Sequence, residues 1–223
     1  MENPMKTLIF SDSHLTEVFE QEKYVFLKNI ISGVDRVIIN GDFWDGYTTT
    51  FSEFITSPWS KLFPLLKKKE TVYLFGNHDR REFNDHRVSL FSVKQENSFK
   101  YKIKDKEIIL EHGHRLFPSP DLLLRYNVSV PMMRSISRKK DRVEKYLIKK
   151  TGISLHSYLG HLPNGRIKKK IKHELLPNQI FVCGHTHLPE YDLNNNFINT
   201  GFIQHGVGHY VIADEKNLTL YQQ

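Results

Sequence analysis

The sequence has almost no cysteine, since Cys183 is the only one among its 223 residues. A lone thiol excludes a disulfide within the chain, and it excludes a structural zinc site built from several cysteines. This scarcity is typical of a reducing compartment. Apolar runs are short as well, and none approaches the roughly 18 residues that a membrane-spanning helix needs. The residues after Pro4 show no charged-then-apolar leader pattern. We therefore predict a cytoplasmic protein.

Acidic residues are scarce in one long stretch of the chain. Between Arg134 and Lys172 there are thirteen lysines and arginines but only two acids, Asp141 and Glu144. The formal charge of the whole chain is +7, so the remainder of the chain carries a net negative charge. A cationic stretch of this kind predicts an anionic partner at that place rather than over the whole surface.

The composition excludes a disordered chain, because 39% of the residues are hydrophobic and 12% are aromatic. The length is sufficient for one hydrophobic core with an insertion in it. No internal repeat or low-complexity tract divides the sequence. We therefore predict a single domain over residues 1–223.

Five short apolar runs, each predicted to be a strand, end in aspartate, histidine or asparagine. The blocks that follow them are Asp12-x-His14, Gly41-Asp42-x-x-Asp45, Gly76-Asn77-His78-Asp79, His112-Gly113-His114 and Gly184-His185-x-His187. Helical patterns separate several of the runs, which predicts an α/β fold with parallel strands. Parallel strands present their carboxyl ends at one edge of a sheet, so we expect these side chains to gather there.

The gathered side chains would offer carboxylate, imidazole and amide ligands. Such a mixed oxygen and nitrogen set suits Mn, Fe, Zn or Co better than Mg or Ca. The set holds more ligands than one ion takes, and two-metal sites of this kind catalyse in-line displacement at phosphorus. Each block alone has a plainer interpretation, as a turn with capping carboxylates or as ordinary core or surface histidines. Five such blocks at strand ends together favour a two-metal centre.

In this order, the five blocks resemble those of the calcineurin-like metallophosphoesterase superfamily. The match extends from Asp12 to His187 and continues into Asn199-Thr200-Gly201. The resemblance implies a four-layer αββα sandwich with a dinuclear metal centre at one edge. It implies two divalent ions, for which manganese is favoured and iron, zinc and cobalt are alternatives. The ligands that it implies are Asp12, His14 and His187 for the first ion, Asn77, His112 and His185 for the second, and Asp42 as the bridge between them.

The resemblance also implies two catalytic side chains that need not bind metal. A water or hydroxide between the ions would attack phosphorus. His78, beside the ligand Asn77, would stabilise the phosphoryl oxygens or protonate the leaving oxygen. Asp45, three residues after Asp42, would orient His78 and keep it cationic. These assignments imply an enzyme that hydrolyses a phosphodiester or pyrophosphate bond.

Residues 116–176 contain no run comparable with the predicted strands. We predict that this segment is a basic, helical insertion that acts as a lid within the domain. Its central part has apolar and basic residues on opposite sides of a helix. The apolar side comprises Met132, Ile136, Val143 and Leu147, and the basic side comprises Arg134, Arg138, Arg142, Lys145 and Lys149.

This layout, with a helical insertion between the fourth and fifth blocks, is similar to that of the UDP-2,3-diacylglucosamine pyrophosphohydrolases. Those enzymes hold acyl chains under a helical lid at the membrane surface. The similarity implies a lipid-linked nucleotide as the phosphate-ester substrate and a protein peripheral to an anionic membrane. The sequence departs from that subfamily at His78, where the subfamily has arginine, and at His114, where it has aspartate.

Three other interpretations stay open for the segment and the protein. The cations could bind nucleic acid, which would make the protein a nucleotide or nucleic-acid phosphodiesterase, or nuclease. The segment could also be a solvated helix whose apolar side caps the core. Finally, some members of the superfamily have lost metal ligands and serve as catalytically inactive protein-binding scaffolds. Ligand loss distinguishes that class, and every ligand position here carries a suitable residue.

Overall fold

The computed structural model describes residues 5–118 and 161–223, together with 132–136, 139, 143, 145, 146 and 150 from the stretch between them. The strands are β1 (Thr7–Phe10), β2 (Arg36–Asn40), β3 (Val72–Leu74), β4 (Lys94–Glu96), β5 (Ser98–Ile103), β6 (Lys106–Glu111), β7 (Gln179–Cys183), β8 (Glu190–Asp192), β9 (Phe197–Asn199), β10 (Ile203–Gln204), β11 (Val207–Ala213) and β12 (Leu218–Gln222). The α-helices with defined ends are α1 (Gln21–Ser32), α2 (Phe51–Thr56), α3 (Phe63–Lys68) and α4 (His161–Ile171). Short 3₁₀ helices cover Pro58–Leu62, Arg81–Phe83, His86–Leu90 and Leu193–Asn195.

The strands form two sheets. In the first, the order is β10-β11-β1-β2-β3-β4, with β12 also paired to β11. Strands β1 to β4 are parallel, whereas β11 runs antiparallel to β1. In the second sheet, the order is β5-β6-β7-β9-β8, and β6, β7 and β9 are parallel. Helical segments connect β1 to β2 and β2 to β3, because parallel neighbours need a crossover between them.

The alternation of side chains along the strands builds four layers. In β1, Ile9 belongs to the core between the two sheets, whereas Leu8 and Phe10 pack with helices α1 to α3. Helix α4 covers the outer face of the second sheet, where it contacts Phe181, Cys183 and Phe197. The predicted αββα sandwich is therefore confirmed, and each sheet brings the carboxyl ends of its parallel strands to one edge.

Element boundaries differ from the sequence pattern at particular places. The pattern predicts a helix from Glu17, but α1 begins at Gln21 because Leu15 first pairs with Trp44 in a parallel β-bridge. The pattern also predicts that Pro58 and Pro64 interrupt the next helical region. This is confirmed, since a 3₁₀ helix with Pro58 at its start separates α2 from α3. Strand β4 escapes prediction because its residues are polar and lie at the sheet edge.

In the described residues of the segment 116–176, the predicted apolar and basic sides of the helix differ from the prediction. Residues 132–136 are helical, and Met133 is buried, whereas Met132 and Ile136 are 58% and 42% exposed. Arg134, predicted on the basic side, instead places Nη2 2.6 Å from Oε2 of Glu53 and donates from Nε to the carbonyl of Thr48. Within residues 132–136 the predicted apolar side therefore faces solvent, whereas Met133 is buried and Arg134 bonds to Glu53 and Thr48. The predicted positions Leu147, Arg138, Arg142 and Lys149 lie outside the described residues.

Candidate metal centre

The seven predicted metal ligands all lie at the edge where the parallel strands end. Each follows its strand directly or within a few residues: Asp12 and His14 after β1, Asp42 after β2, Asn77 after β3, His112 after β6, and His185 and His187 after β7. Since β1, β2 and β3 belong to one sheet and β6 and β7 to the other, the ligands come from both sheets. Stacking of the two sheets therefore assembles the centre.

Asp12, His14 and His187 form the first cluster. Their ligand atoms lie within 4.8 Å of one another. Nε2 of His187 is 3.3 Å from Oδ1 of Asp12 and 3.1 Å from Nε2 of His14. Oδ1 of Asp12 is buried and has no hydrogen-bond donor within the part of the chain that the structure describes. A buried carboxylate oxygen without a donor, beside two imidazole nitrogens, fits a divalent cation because burial of an unpaired charge is costly.

Asp42, His112 and His185 form the second cluster, with Asn77 beside it. Nε2 of His112 lies 3.1 Å from Oδ2 of Asp42 and 3.2 Å from Oδ1 of Asn77. The opposite nitrogen of His112 donates to the carbonyl of Asn40 at 2.8 Å, which leaves Nε2 for a metal. Nε2 of His185 donates to a carbonyl as well, that of Phe117 at 2.6 Å, and this leaves Nδ1 for a metal.

Asp42 lies between the two clusters. Its Oδ2 is 3.1 Å from Nε2 of His112 and 3.8 Å from Nε2 of His14, so one oxygen faces imidazoles of both groups. Its Oδ1 accepts the backbone N–H of His78 at 2.8 Å, which fixes the carboxylate plane. This is the placement that a bridging carboxylate requires.

The charge state of the centre suits cations. Burial raises the pKa of Asp12 and of Asp42, but the surrounding histidines, His112 foremost, lower both below the ordinary value, so both stay ionised. Burial lowers the pKa of His112, yet Asp42 and Asp12 raise it to about 10. Burial and His112 lower the pKa of His185 to about 4, so His185 is neutral at pH 7. A metal bound at Nε2 of His112 therefore has to displace the proton of that ring.

Unusual backbone angles concentrate in the same loops. Asp12, His14, Asp42, His185 and His187 all have φ between 44° and 69°, in the left-handed region that non-glycine residues rarely adopt. Each such residue costs on the order of 1–3 kcal/mol and persists only where its surroundings fix it. Five of the seven predicted ligands have such strained backbone angles, which is typical of loops at a functional site.

His78 and Asp45 form a pair beside the first cluster. Nδ1 of His78 is 2.9 Å from Oδ1 of Asp45, and the His78 ring lies edge-on to that of His14 with centroids 4.5 Å apart. Burial raises the pKa of Asp45, but His78 and its hydrogen bond lower it to about 2, so Asp45 is a carboxylate and accepts a hydrogen bond from Nδ1 of His78. The hydroxyl of Thr48 and the backbone N–H of Tyr47 also donate to Asp45, at 2.8 and 3.0 Å.

The sequence model of the calcineurin-like phosphoesterases matches residues 5–189 of this chain. The chain belongs to the calcineurin-like phosphoesterase family. It is accordingly a metallophosphoesterase, a metal-binding hydrolase of phosphoric esters.

Several solved structures are similar to this phosphoesterase at low sequence identity. The phosphoesterase Yfce from E. coli is 15% identical, with 98% of each chain covered and a TM-score of 0.50. Vps29 from Entamoeba histolytica, complexed with zinc, is 16% identical over 98% of this chain and 91% of that one, with a TM-score of 0.48. A protein of Streptococcus pneumoniae described as a predicted phosphoesterase is 16% identical over 100% and 90%, with a TM-score of 0.46. A comparison with curated proteins found no match.

Asp79 and His114 belong to the blocks of this phosphoesterase but not to the predicted ligand set. The Asp79 carboxylate accepts the backbone N–H groups of Gly76, Asp42 and Phe43 at 2.6, 3.0 and 2.6 Å. Asp79 therefore ties the loop after β2 to the loop after β3. Burial and His112 lower the pKa of His114 to about 3, so its ring, 5.6 Å from that of His112, is neutral.

The sequence does not mark several groups that hold the ligands and the pair in place. Tyr47 stacks on His78, with ring centroids 4.1 Å apart, and Thr48 donates to Asp45. Both are close to Asp45 in sequence, which is the only signal for them. Phe117 and Asn164 carry no signal at all, because each reaches the centre through the fold: Phe117 through its carbonyl to His185, and Asn164 through Thr186.

The described part of the segment 116–176 reaches the loop that carries the pair. Arg134 donates to the carbonyl of Thr48, and the Thr48 hydroxyl donates in turn to Asp45. Glu53, which pairs with Arg134, also closes a capping box with Thr50 at the start of α2. This phosphoesterase thus has residues 132–136 anchored next to the loop of Asp45. Among the described residues, no helix combines the length and apolar character that a membrane crossing requires.

Proposed function

We propose that this phosphoesterase binds two divalent cations, manganese foremost, and cleaves a phosphodiester or pyrophosphate bond. The observation that carries the proposal is the position of Asp42, whose Oδ2 faces imidazole nitrogens of both clusters at 3.1 and 3.8 Å. One cluster alone would account for a single ion. A carboxylate between two clusters, each with its own histidines, supports a shared ligand and two ions.

Each side chain then has a separate task. Asp12, His14 and His187 would hold one cation, Asn77, His112 and His185 would hold the other, and Asp42 would be shared between them. Bound cations of this kind lower the pKa of a coordinated water and polarise the phosphoryl group. His78 stabilises the phosphoryl oxygens or gives a proton to the leaving oxygen, while Asp45 accepts from Nδ1 and fixes the ring. Thr48 and the Tyr47 backbone hold Asp45 in turn.

The first test compares hydrolysis of bis-p-nitrophenyl phosphate with that of p-nitrophenyl phosphate. We expect Mn²⁺ to support cleavage of the diester in preference to the monoester, and we expect EDTA to abolish it, because the ligands would have no cation to hold. Iron, zinc and cobalt replace manganese in parallel reactions. Metal-independent cleavage would contradict the proposed centre, and preference for the monoester would contradict the diester or anhydride substrate.

A lipid-linked nucleotide at a membrane surface is the substrate we propose within this class. Four exposed side chains of the segment 116–176 support it: Met132, Ile136, Val143 and Tyr146. Exposed lysines accompany them at Lys139, Lys145 and Lys150. Apolar side chains next to cations are the composition of a surface that lies on anionic lipid. The segment would then act as an insertion that places the metal centre next to the headgroups.

Vesicle binding distinguishes this proposal from its alternatives. We expect co-sedimentation with phosphatidylglycerol vesicles but not with phosphatidylcholine vesicles, weakened by salt. Changing Met132, Ile136 and Val143 to serine should abolish the binding. The matched control changes Val18, Val25 and Leu90, which are exposed elsewhere, to serine and should leave the binding intact. The proposal is contradicted if the variant with serine at 132, 136 and 143 binds the phosphatidylglycerol vesicles as well as the wild-type protein does. Selective binding to an oligonucleotide would favour the nuclease alternative.

A further inference from the structure

Asn164 connects the segment 116–176 with the loop that carries two of the predicted ligands. It lies on α4, and its side chain is buried. Nδ2 donates to the carbonyl of Leu188 at 3.2 Å and to Oε2 of Glu190 at 2.8 Å. Oδ1 accepts from the Thr186 hydroxyl at 2.6 Å and from Nδ2 of Asn199 at 3.1 Å. The amide thus uses its two donors and both acceptor positions, which is its full capacity.

The loop held by Asn164 serves both clusters. Thr186 stands between His185, which belongs to the second cluster, and His187, which belongs to the first. Both histidines have left-handed backbone angles, with φ of 69° and 55°, so the loop needs fixed points to keep this shape. Thr186 is such a point, since it is buried and its hydroxyl also accepts from Asn199 at 2.9 Å. Asn164 in turn is the group to which that hydroxyl donates.

A second side chain of α4 offers a comparison. Lys168, one turn after Asn164, places Nζ 2.5 Å from Oε1 of Glu190 and 2.9 Å from Oδ2 of Asp192. It therefore fastens α4 to β8 as Asn164 does. Asn164 bonds to Thr186 and Leu188, whereas the described hydrogen bonds of Lys168 go to Glu190 and Asp192 and not to the loop between His185 and Leu188. Substitution of Lys168 therefore tests the docking of α4 on β8, whereas substitution of Asn164 also tests the position of the loop.

We propose that Asn164 is a positioning residue of the metal centre, through which α4 of the segment 116–176 sets the affinity for both cations. The inference rests on the proposed two-metal function. Removing the amide frees the Thr186 hydroxyl and lets His185 and His187 relax towards ordinary backbone angles. Side chains that orient ligands in this indirect way change metal affinity by about 10–100-fold when they are lost.

The test titrates the metal-free full-length protein with Co²⁺, follows the absorption spectrum of the bound ion, and measures Mn²⁺ affinity by calorimetry. We expect Asn164→Ala to weaken binding of both ions by about 10–100-fold and to alter the Co²⁺ spectrum. Lys168→Met should keep wild-type affinity within about threefold, although it removes the ion pairs to Glu190 and Asp192. Thr186→Val removes the hydroxyl that donates to Asn164 but keeps the size of the side chain, and should weaken binding of both ions to a similar extent.

The outcomes are separable. Wild-type affinity and spectrum in Asn164→Ala would overturn the positioning role, and so would an equal loss in Lys168→Met, which would make docking of α4 the cause. If Asn164→Ala does not fold, Thr186→Val decides, because wild-type affinity in that folded variant contradicts a role for the hydrogen bond between Thr186 and Asn164. A wild-type protein that binds no Co²⁺ or Mn²⁺ would instead contradict the proposed function itself.

Discussion

Asp42→Ala is expected to abolish phosphodiester hydrolysis and to reduce the number of tightly bound cations from two to one or none. The carboxylate faces Nε2 of His112 at 3.1 Å and Nε2 of His14 at 3.8 Å, so its removal takes one ligand from each cluster at once. Loss of a shared ligand also leaves two adjacent cations with less negative charge between them. Metal content by atomic absorption, together with the rate on bis-p-nitrophenyl phosphate, checks both parts of the expectation.

Asp42→Asn separates the charge of this side chain from its shape. The amide retains an oxygen for the backbone N–H of His78 but loses the negative charge, so we expect the fold to survive and both ions to be weakened. Asp214→Asn is the control. Asp214 caps the turn between β11 and β12, and it lies near the amino end of β1, whereas Asp12 follows the carboxyl end of that strand. Full activity of Asp42→Ala would contradict the two-metal proposal. The scaffold alternative would be supported if the wild-type protein showed no metal-dependent hydrolysis and Asp42→Asn had no effect.

The parts of the centre that sequence predicts are those that local spacing encodes. Asp42 follows a β-branched run and Gly41, whose φ of 87° turns the chain sharply where the strand ends. Such runs and turns are local, so the strand ends and their polar side chains can be predicted from them, whereas the αββα layers and the assigned ligand set are implied by the resemblance to the calcineurin-like metallophosphoesterases. The bridging position of Asp42 is not local, because it depends on how the second sheet brings His112 against the first.

The supporting contacts could not be predicted for the same reason. Phe117 reaches His185 through a backbone carbonyl, which any residue supplies, so no residue type marks the position. Helical periodicity places Arg134 on the basic side of the helix, yet Arg134 pairs with Glu53. Periodicity gives the angle around a helix but not which side meets the core. The buried Met133 and the exposed Met132 and Ile136 show that the assignment depends on the neighbouring surface.

His78→Ala is expected to retain both cations and to slow turnover by about 10²–10⁴-fold. The side chain lies beside the first cluster, with its ring 4.5 Å from that of His14, but it is held by Asp45 rather than placed among the predicted ligands. Its loss therefore removes charge stabilisation or protonation of the leaving oxygen while the ligand set stays complete. Metal content and the turnover rate, measured on the same sample, check the two halves of this expectation.

The choice of substrate makes the His78 test specific. p-Nitrophenolate is stable and needs little protonation as it leaves, whereas the alkoxide of a dinucleotide does need it. If His78 donates the proton, His78→Ala should therefore lose a larger factor in turnover rate with the dinucleotide than with bis-p-nitrophenyl phosphate. Asp45→Asn should show the same substrate dependence with a smaller deficit, because the ring remains but loses the carboxylate that fixes Nδ1. An equal deficit on both substrates would assign His78 to the phosphoryl oxygens, and full activity would remove it from catalysis.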